Sequence, residues 1–212
     1  MKSVNIYIIG AGGHGQVVAD TIIKMGFFPK GFLDDNKDLL GKKILGIPVV
    51  GNVSDAKNLS GKFVVAIGDN FMRKTIVDKL EFSDDMYFTV IHPSSVIGDD
   101  VEIGVGSMII GGTVINTGTI IGKHTIVNTS ASIDHHNKIH DFVHIAPGSH
   151  TGGNVEIGYG SFLGVGVSVI PGVRVAEWSV IGAGSVVISN IPSHSVAVGV
   201  PCKVIKHNGG KK

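Results

Sequence analysis

The sequence predicts an α/β fold in its first ninety residues and a parallel β-helix of hexapeptide repeats in the remainder. Three observations lead to this prediction. An aliphatic residue recurs at every sixth position from Ile97 to Val187, and a glycine-rich turn follows an apolar segment near the start of the chain. The composition also favours strands, because 43% of the 212 residues are hydrophobic while only 6% are aromatic.

The six-residue period defines the second half of the chain. A helix would give a period near 3.6 and a strand would give simple alternation, whereas a hexapeptide β-helix gives a period of six. Each hexapeptide then forms one short strand and one corner, three hexapeptides form a triangular coil, and the aliphatic side chains stack along its axis. Only Thr151 breaks the series, which otherwise consists of Ile97, Ile103, Ile109, Ile115, Ile121, Val127, Ile133, Ile139, Ile145, Ile157, Leu163, Val169, Val175, Ile181 and Val187.

The neighbours of the aliphatic position support the same fold. The residue two positions earlier is usually Ser, Thr or Ala, which leaves space inside the coil, and the next residue is often Gly, which allows a tight corner. The register is unbroken from 97 to 187, so we expect no long loop in this stretch.

The first ninety residues contain a Rossmann-like pattern. The segment "VNIYIIGAGGHGQVVADTIIKMG" predicts a buried strand, a GxGxxG turn at residues 10–15 and a helix that ends at Gly26. The segment "GFLDD" predicts a second strand followed by Asp34 and Asp35, about 20 residues on, where a Rossmann-type unit places an acid on a ribose hydroxyl. A third strand, "FVVAIGD", ends at Gly68, and "NFMRKTIVDKL" predicts the next helix.

This pattern fits a phosphate-bearing ligand, because glycines allow close approach and a helix N-terminus offers unpaired N–H groups. NAD is one candidate. Only half of a doubly wound sheet is present, however, which suffices for a nucleoside diphosphate and favours a nucleotide-sugar. Alternatively, the glycines serve only the tight turn. His14 within the turn either contacts a phosphate or sugar or faces solvent at the helix start.

Charge and cysteine content narrow the classes of partner. The formal net charge of +1 gives no sign of a nucleic-acid or membrane partner. The single Cys202 allows no intrachain disulfide and favours a reducing compartment. No apolar run approaches the roughly 20 residues of a membrane span, and "VNIYIIG" is too short for a signal peptide. We therefore expect a cytoplasmic protein.

Histidines cluster in "SIDHHNKIHDFVHIAPG", residues 132–148. Beside the inward Ile133 we expect His135 and His136 to project outward, and His144 likewise. One coil above His135 stands Gly153, which would leave an empty slot for a thioester carbonyl near a bare N–H. We expect three further histidines of the coil, His124, His140 and His150, to be exposed corner or coil residues.

The GAGGHG turn, the segment "NTSASIDHHNKIHDFVHIAPGSHTGGNVEIG" and the ending "IPSHSVAVGVPCKVIK" together resemble the left-handed β-helix acetyltransferases of the hexapeptide-repeat superfamily. More narrowly, the chain resembles bacterial UDP-4-amino-sugar N-acetyltransferases of the bacillosamine pathway, perosamine N-acetyltransferases and sialic acid O-acetyltransferases. The resemblance implies a left-handed coil, a nucleotide-sugar-binding domain over 1–90, an acetyltransferase domain over 91–212, and a homotrimer with acetyl-CoA sites between subunits.

The resemblance also implies roles for individual residues. His135 matches the family's general base and His144 matches a histidine that contacts acetyl-CoA. The family commonly has an acid directly after the base, where this chain has His136, so we expect Asp134 or an acid of a neighbouring subunit to orient the imidazole. The CoA cleft would be lined by Asn128, Gly153, Val165 and Ala183, and the nucleotide-sugar would be held by Gly12, Gly13, His14, Asp34, Asp35 and Gly68.

The implied reaction moves acetyl from acetyl-CoA to the 4-amino group of a nucleotide-linked 4-amino-4,6-dideoxy sugar, for bacterial surface glycan biosynthesis and without a metal. O-acetylation of sialic acid or another sugar is the nearest alternative. A zinc enzyme like the γ-class carbonic anhydrases is another, because His135 and His140 resemble paired ligands; Asp99 and Gly104, two coils below them, provide no third histidine. A non-catalytic trimeric scaffold that binds a nucleotide-sugar is the last.

Overall fold

A computed structural model describes residues 4–207 of the chain. Residues 1–3 and 208–212, the outer ends of the two expected domains, lie outside the described residues. The described part comprises an α/β unit followed by a triangular coil, and the fold is a Rossmann-like α/β unit joined to a left-handed parallel β-helix. The fold class predicted from the sequence is confirmed.

The α/β unit is built on a five-stranded sheet in the order β3-β4-β2-β1-β5, parallel except for the β3–β4 pair. Three short 3-10 helices span Lys37–Leu39, Val53–Asn58 and Asp84–Met86. The strands and helices are β1 Ile6–Ile9, α1 Gly13–Lys24, β2 Gly31–Leu33, β3 Lys43–Ile44, β4 Ile47–Gly51, β5 Lys62–Val65 and α2 Asn70–Leu80.

The sequence correctly predicts β1, α1, β2, β5 and α2. It missed β3 and β4, because the intervening segment is short and broken by Gly46 and Pro48. The chain leaves β1 toward β2 on one side and later returns to place β5 on the other side of β1. The carboxyl ends of β1 and β5 therefore flank the point where strand order reverses, which is where open α/β sheets bind ligands.

The coil consists of strands that are mostly two residues long and that fall into three parallel sheets, which we call the first, second and third faces. The first face contains β7 Val96–Ile97, β10 Val114–Ile115, β13 Ser132–Ile133, β16 His150–Thr151, β19 Ser168–Val169 and β22 Val186–Val187. The second contains β8 Glu102–Ile103, β11 Ile120–Ile121, β14 Lys138–Ile139, β17 Glu156–Ile157 and β20 Arg174–Val175. The third contains β6 Val90–Ile91, β9 Met108–Ile109, β12 Ile126–Val127, β15 His144–Ile145, β18 Phe162–Leu163, β21 Val180–Ile181, β23 Ser195–Val198 and β24 Lys203–His207.

The register of the coil is the predicted one. Ile115 pairs with Ile97 below it and Ile133 above it, a separation of 18 residues that holds up to the pairing of Val169 with Val187. The aliphatic series forms one buried core. The coil starts one strand before the series, at β6, and is closed by β24, which pairs antiparallel with β23.

The α/β unit packs on the third face. The side chains of Val18 and Ile22 on α1 share a buried cluster with Val90, Met108 and Ile126, which point outward from the coil. Fully burying an aliphatic side chain of this size contributes about 1.5–3 kcal/mol relative to leaving it exposed. The α/β unit therefore covers β6, β9 and β12 of the third face.

The triangular cross-section fixes which residues of one chain can meet. We call the corner between the first and second faces the first corner, and His135 lies at it, two residues after Ile133. The third face, which carries His144, lies on the side of the triangle opposite this corner. His135 and His144 of one chain therefore lie on opposite sides of the coil.

Candidate functional site

The glycine-rich turn leaves the start of α1 open. Gly10 has φ +102°, and a Cβ there would come within 2.6 Å of Ile67 Cδ1. A Cβ at Gly15 would come within 2.0 Å of the Gly10 carbonyl oxygen. Gly12 and Gly13 are exposed, and nothing lies within 4 Å of the Cβ position of either. The turn is thus closed on the protein side and free on the outer side, which suits an anionic group at the helix N-terminus.

The two predicted aspartates hold loops beside this turn. Asp34 accepts a hydrogen bond from the main-chain N–H of Ala11 at 2.8 Å. Asp35 accepts one from the N–H of Val53 at 2.9 Å. Both line an open cavity of about 540 Å³ at the carboxyl ends of β2 and β4, together with Asn52, Lys37 and Lys79 among others.

His144 reaches the same sheet edge from the coil. Its Nδ1 lies 3.0 Å from the carbonyl oxygen of Gly68, and its Nε2 lies 3.1 Å from Nδ2 of Asn128. A carbonyl oxygen only accepts, so Nδ1 carries the proton and Nε2 accepts from the Asn128 amide. The ring of His14 lies 6.2 Å from the His144 ring, centroid to centroid.

Both histidines of this pair are held neutral. Burial above all, together with the nearby Arg73 cation, lowers the pKa of His144 to about 4, although the hydrogen bond to the Gly68 carbonyl acts in the opposite direction. Burial, followed by the same cation, lowers the pKa of His14 to about 4. His144 points away from the coil axis, as expected, but it is only 8% exposed, because the α/β unit covers it.

The first corner holds the predicted base. His135 is exposed, and its Nδ1 lies 3.1 Å from Nδ1 of His136, so one imidazole donates to the other. Asp134 Oδ1 accepts from the His135 main-chain N–H at 2.8 Å and from Nδ2 of Asn116 at 2.9 Å. These bonds, the one from Asn116 first, hold the pKa of Asp134 below its usual range. Within one chain, the hydrogen bonds of Asp134 fix the backbone of the corner, and the side chain that contacts the His135 ring is His136.

Each imidazole of the corner packs against a glycine of an adjacent coil. A Cβ at Gly153, one coil above, would lie 2.4 Å from Cε1 of His135. A Cβ at Gly118, one coil below, would lie 2.9 Å from Cδ2 of His136. The expected empty slot beside Gly153 is wrong, because the His135 ring itself occupies that space.

Sequence reasoning missed Asn137, which clamps this corner from inside. Its side chain is 1% exposed, and its Nδ2 donates to the carbonyl oxygens of Asp134 at 2.7 Å, His135 at 3.3 Å and Gly152 at 2.8 Å. The available signal was an Asn at the position two before the aliphatic residue, where the pattern usually has a small side chain.

The residues predicted to line the CoA cleft fall on two corners. Gly153 belongs to the first corner, while Asn128, Val165 and Ala183 lie at the corner between the third and first faces. Val165 is 55% exposed. Both corners border the first face, so this set comes together only if the first faces of neighbouring chains meet.

The three further histidines that were expected to be exposed, His124, His140 and His150, have different environments. The expectation of exposure is wrong for His124, which is 3% exposed and stacks on Phe142. His140 is half-buried and bonds Glu156 through Nε2 at 2.9 Å. His150 is exposed and bonds Ser132.

Among residues 4–207, no group of three or more His, Cys, Asp or Glu side chains is arranged to hold a metal ion. No helix in this range is long and apolar enough to cross a membrane.

Comparison with known proteins identifies the family. Residues 5–80 match the model of the PglD N-terminal domain. The acetyltransferase domain of PglB from Neisseria gonorrhoeae is 33% identical, with a TM-score of 0.88, over 96% of this chain and 100% of that one. The chain belongs to the left-handed β-helix sugar acetyltransferases.

Two further relatives of this acetyltransferase-family chain extend the comparison. A variant of GDP-perosamine N-acetyltransferase from Caulobacter crescentus, solved with CoA and GDP-perosamine, is 34% identical with a TM-score of 0.87, over 97% of this chain and 100% of that one. A Staphylococcus aureus protein whose acetyltransferase activity is itself only inferred is 50% identical over 66 residues, 31% of this chain. The match spans about a third, 33%, of the length of that curated relative.

Proposed function

We propose that this protein transfers acetyl from acetyl-CoA to the 4-amino group of a nucleotide-linked 4-amino-4,6-dideoxy sugar, with His135 as general base. The observation that carries the proposal is the exposed His135 imidazole. Its Nδ1 is engaged by His136, while its Nε2 has no hydrogen-bond partner among residues 4–207. The perosamine enzyme, which is similar over its whole length, binds CoA and a nucleotide-linked amino sugar.

The chemistry needs one group that accepts a proton. The amine nitrogen attacks the thioester carbonyl carbon, a C–N bond forms, and the C–S bond breaks to release the CoA thiolate. Nε2 of His135 takes the proton from the attacking nitrogen and can return it to the sulfur. A positioned imidazole suits this at neutral pH, and such help is worth about 100- to 10,000-fold in rate. For this role Nδ1 of His135 carries its proton and donates to His136, which stands where the family has an acid.

The site we propose is shared between chains of a homotrimer. His135 and His144 of one chain lie on opposite sides of the coil, so they can act together only across a subunit boundary. The first face supports this arrangement, because its outward side chains carry no Asp, Glu, Lys or Arg, unlike Glu102, Lys138, Glu156 and Arg174 of the second face. Acetyl-CoA would lie between the first corner of one chain and Asn128, Val165 and Ala183 of the next.

The nucleotide-sugar would lie along the carboxyl edge of the α/β sheet. Its diphosphate fits the open N–H groups at Gly12 and Gly13, and its nucleoside fits the cavity beside Asp34 and Asp35. The same edge leads through His14 and Gly68 to His144, toward the proposed acetyl group. We place the reaction in the cytoplasm, as an early step of surface glycan synthesis. The single Cys202, which is buried and free, is consistent with that location.

The test is release of CoA thiol, followed with DTNB on the purified full-length protein. The acceptors are UDP-, GDP- and dTDP-linked 4-amino sugars, their 4-hydroxy counterparts and free sialic acid. We expect turnover only with a 4-amino sugar, and a loss of about 100- to 10,000-fold in His135→Ala. His140→Gln is the matched control, because His140 bonds Glu156 on the second face and should keep wild-type turnover.

Two results would contradict the proposal. A folded His135→Ala protein with near-normal turnover would reject the base. If the protein released no CoA with any 4-amino sugar, N-acetyl transfer would be rejected. Release of CoA with sialic acid alone would point to O-acetylation instead.

A further inference from the structure

One cation joins the α/β unit to the coil. Arg73 on α2 is 0% exposed. On the coil side its Nε donates to the carbonyl oxygen of His124 at 2.8 Å, and its Nη2 donates to those of Phe142 at 2.8 Å and Val143 at 3.4 Å. The guanidinium therefore binds the main chain of two successive coils, up to the residue directly before His144.

The same guanidinium binds the loop after β5. Its Nη1 donates to the carbonyl oxygens of Ile67 at 2.7 Å and Gly68 at 3.5 Å, and its Nη2 also donates to Oδ1 of Asn70 at 2.8 Å. The Gly68 carbonyl is the group that accepts from Nδ1 of His144. Arg73 thus contacts the acceptor of the His144–Gly68 hydrogen bond and the main chain directly before its donor.

We propose that Arg73 is a positioning residue that fixes the hydrogen bond from His144 Nδ1 to the Gly68 carbonyl, and with it the tautomer in which Nε2 of His144 accepts from Asn128. This inference rests on the proposed function for its effect on turnover, because it concerns the acetyl-CoA side of that site. Its structural part can be tested without turnover.

The choice of arginine supports a geometric role. Burying a cation is costly unless it is well hydrogen-bonded, and apolar side chains can join two units without that cost. No carboxylate lies within ion-pair distance of Arg73 among residues 4–207. The planar guanidinium has five N–H donors, so it can contact carbonyls of the loop and of two coils at once. A lysine cannot supply these contacts. Its positive charge also contributes, after burial, to the lowered pKa of His144.

The fixed tautomer orients Asn128 in turn. Oδ1 of Asn128 accepts from the Thr129 N–H at 2.8 Å, and Nδ2 faces the unprotonated Nε2 of His144. If the proton moved to Nε2, two donors would face each other and the amide would turn. The edge proposed to meet acetyl-CoA would then present a different set of donors.

The experiment reads the tautomer of His144 by NMR of protein carrying ¹⁵N-labelled histidine, with the signal assigned by its loss in His144→Asn. Arg73→Lys keeps the charge and Arg73→Gln keeps a planar amide, but neither can span both sides. Phe71→Ala is the matched control, because Phe71 on α2 packs edge-to-face on Trp178 of the coil, so that its replacement removes an α2–coil contact that involves neither Arg73 nor His144.

We expect wild type to carry the proton on Nδ1 alone and both Arg73 variants to show an Nε2–H population, with kcat reduced about tenfold, the equivalent of one hydrogen bond. Phe71→Ala should lower Tm while keeping the tautomer and kcat. The proposal is overturned if wild-type His144 carries its proton on Nε2, or if folded Arg73 variants keep the wild-type tautomer. It is also overturned if neither Arg73 variant folds while Phe71→Ala does, because the guanidinium would then be needed for docking itself. A changed tautomer in a protein without acetyl transfer would leave this inference standing and reject only the proposed function.

Discussion

The imidazole of His135 lies directly against Gly153, the residue one coil above it. A Cβ at Gly153 would stand 2.4 Å from Cε1 and 2.5 Å from Nε2 of that ring. The first corner therefore has room for a histidine at 135 only because residue 153 has no side chain. The stacking of corners at 18-residue intervals thus determines where the proposed base can point.

Gly153→Ala should displace the His135 ring and reduce kcat by about 10- to 100-fold, because a shift near 1 Å at a catalytic group can cost that much. Stability should change little, since the clash is with the far end of a side chain that can rotate. Steady-state kinetics and thermal unfolding check both parts. Gly172→Ala is the control: its φ of +73° and open surroundings predict a loss of about 1 kcal/mol with normal kcat.

His136 should matter as the acceptor for Nδ1–H of His135. His136→Ala should lower kcat about tenfold through loss of one hydrogen bond, much less than His135→Ala. His136→Asp should keep or raise kcat, because a carboxylate there restores the family pattern and stabilises the imidazolium. Equal kcat in wild type, His136→Ala and His136→Asp would show that this contact has no part in turnover.

Replacement of Asn137 should lower both the free energy of unfolding and kcat. Asn137→Ala removes the donor shared by three carbonyls of the corner and the next coil, so we expect a loss of about 1–3 kcal/mol and a fall in kcat of about tenfold. Ser161 occupies the same position as Asn137 in its own hexapeptide, two residues before the aliphatic residue, but on another corner. Ser161→Ala removes the hydroxyl that donates to the carbonyl oxygen of Ala176. It should lose stability with kcat unchanged, and a parallel loss of kcat in that control would refute a local effect of Asn137.

Stability should fall in mild acid. The pKa values of His14, His124 and His144 are lowered to about 4 by burial, against 6.5 for the free side chain. The unfolded chain therefore binds more protons, and stability that is complete above pH 6.5 is lost as the pH falls toward 4. Each histidine contributes up to about 1.4 kcal/mol per pH unit in that window.

Denaturant unfolding between pH 7 and pH 5 measures this slope. His124→Phe is the informative variant, because His124 stacks on Phe142 outside the candidate site and its buried Nδ1 has no hydrogen-bond partner within residues 4–207. The unfolding free energy of this variant should depend less steeply on pH, because unfolding takes up one proton fewer than in wild type. The same slope in both proteins would mean that His124 does not titrate as its burial requires.

The sequence predicts the coil better than the contacts on it. A period of six fixes the inward positions, so the pairing of Ile115 with Ile133 follows directly from spacing. The environment of outward residues depends on what covers each face, and nothing in the repeat says that the α/β unit lies on the third one. For that reason the burial of His144 and His124 was not predicted, nor was the role of Arg73, which reads in sequence as one more polar residue of an amphipathic helix.

The six-residue repeat also could not predict which groups the side chains of the site contact. The spacing correctly placed Gly153 beside His135, but it could not show that the ring fills the space rather than leaving it open. The same holds for Asp134, whose oxygen bonds its neighbour's main chain. Such choices depend on rotamers at the corner, and the clamp by Asn137 contributes to them.

The central claim, a site shared between His135 of one chain and His144 of the next, is tested most directly by mixed assemblies. His135→Ala and His144→Asn chains, each inactive alone, are co-expressed with different tags, and doubly tagged assemblies are assayed for CoA release. Asn keeps a donor for the Gly68 carbonyl, so His144→Asn should fold. In every doubly tagged trimer one of the three sites combines two intact halves, so we expect about one third of wild-type activity. His135→Ala with Gly153→Val is the control, because both lesions lie on the first corner and no chain in that mixture supplies an intact one. Activity near one third in the first mixture and none in the second is the predicted result; no activity in either would contradict the shared site.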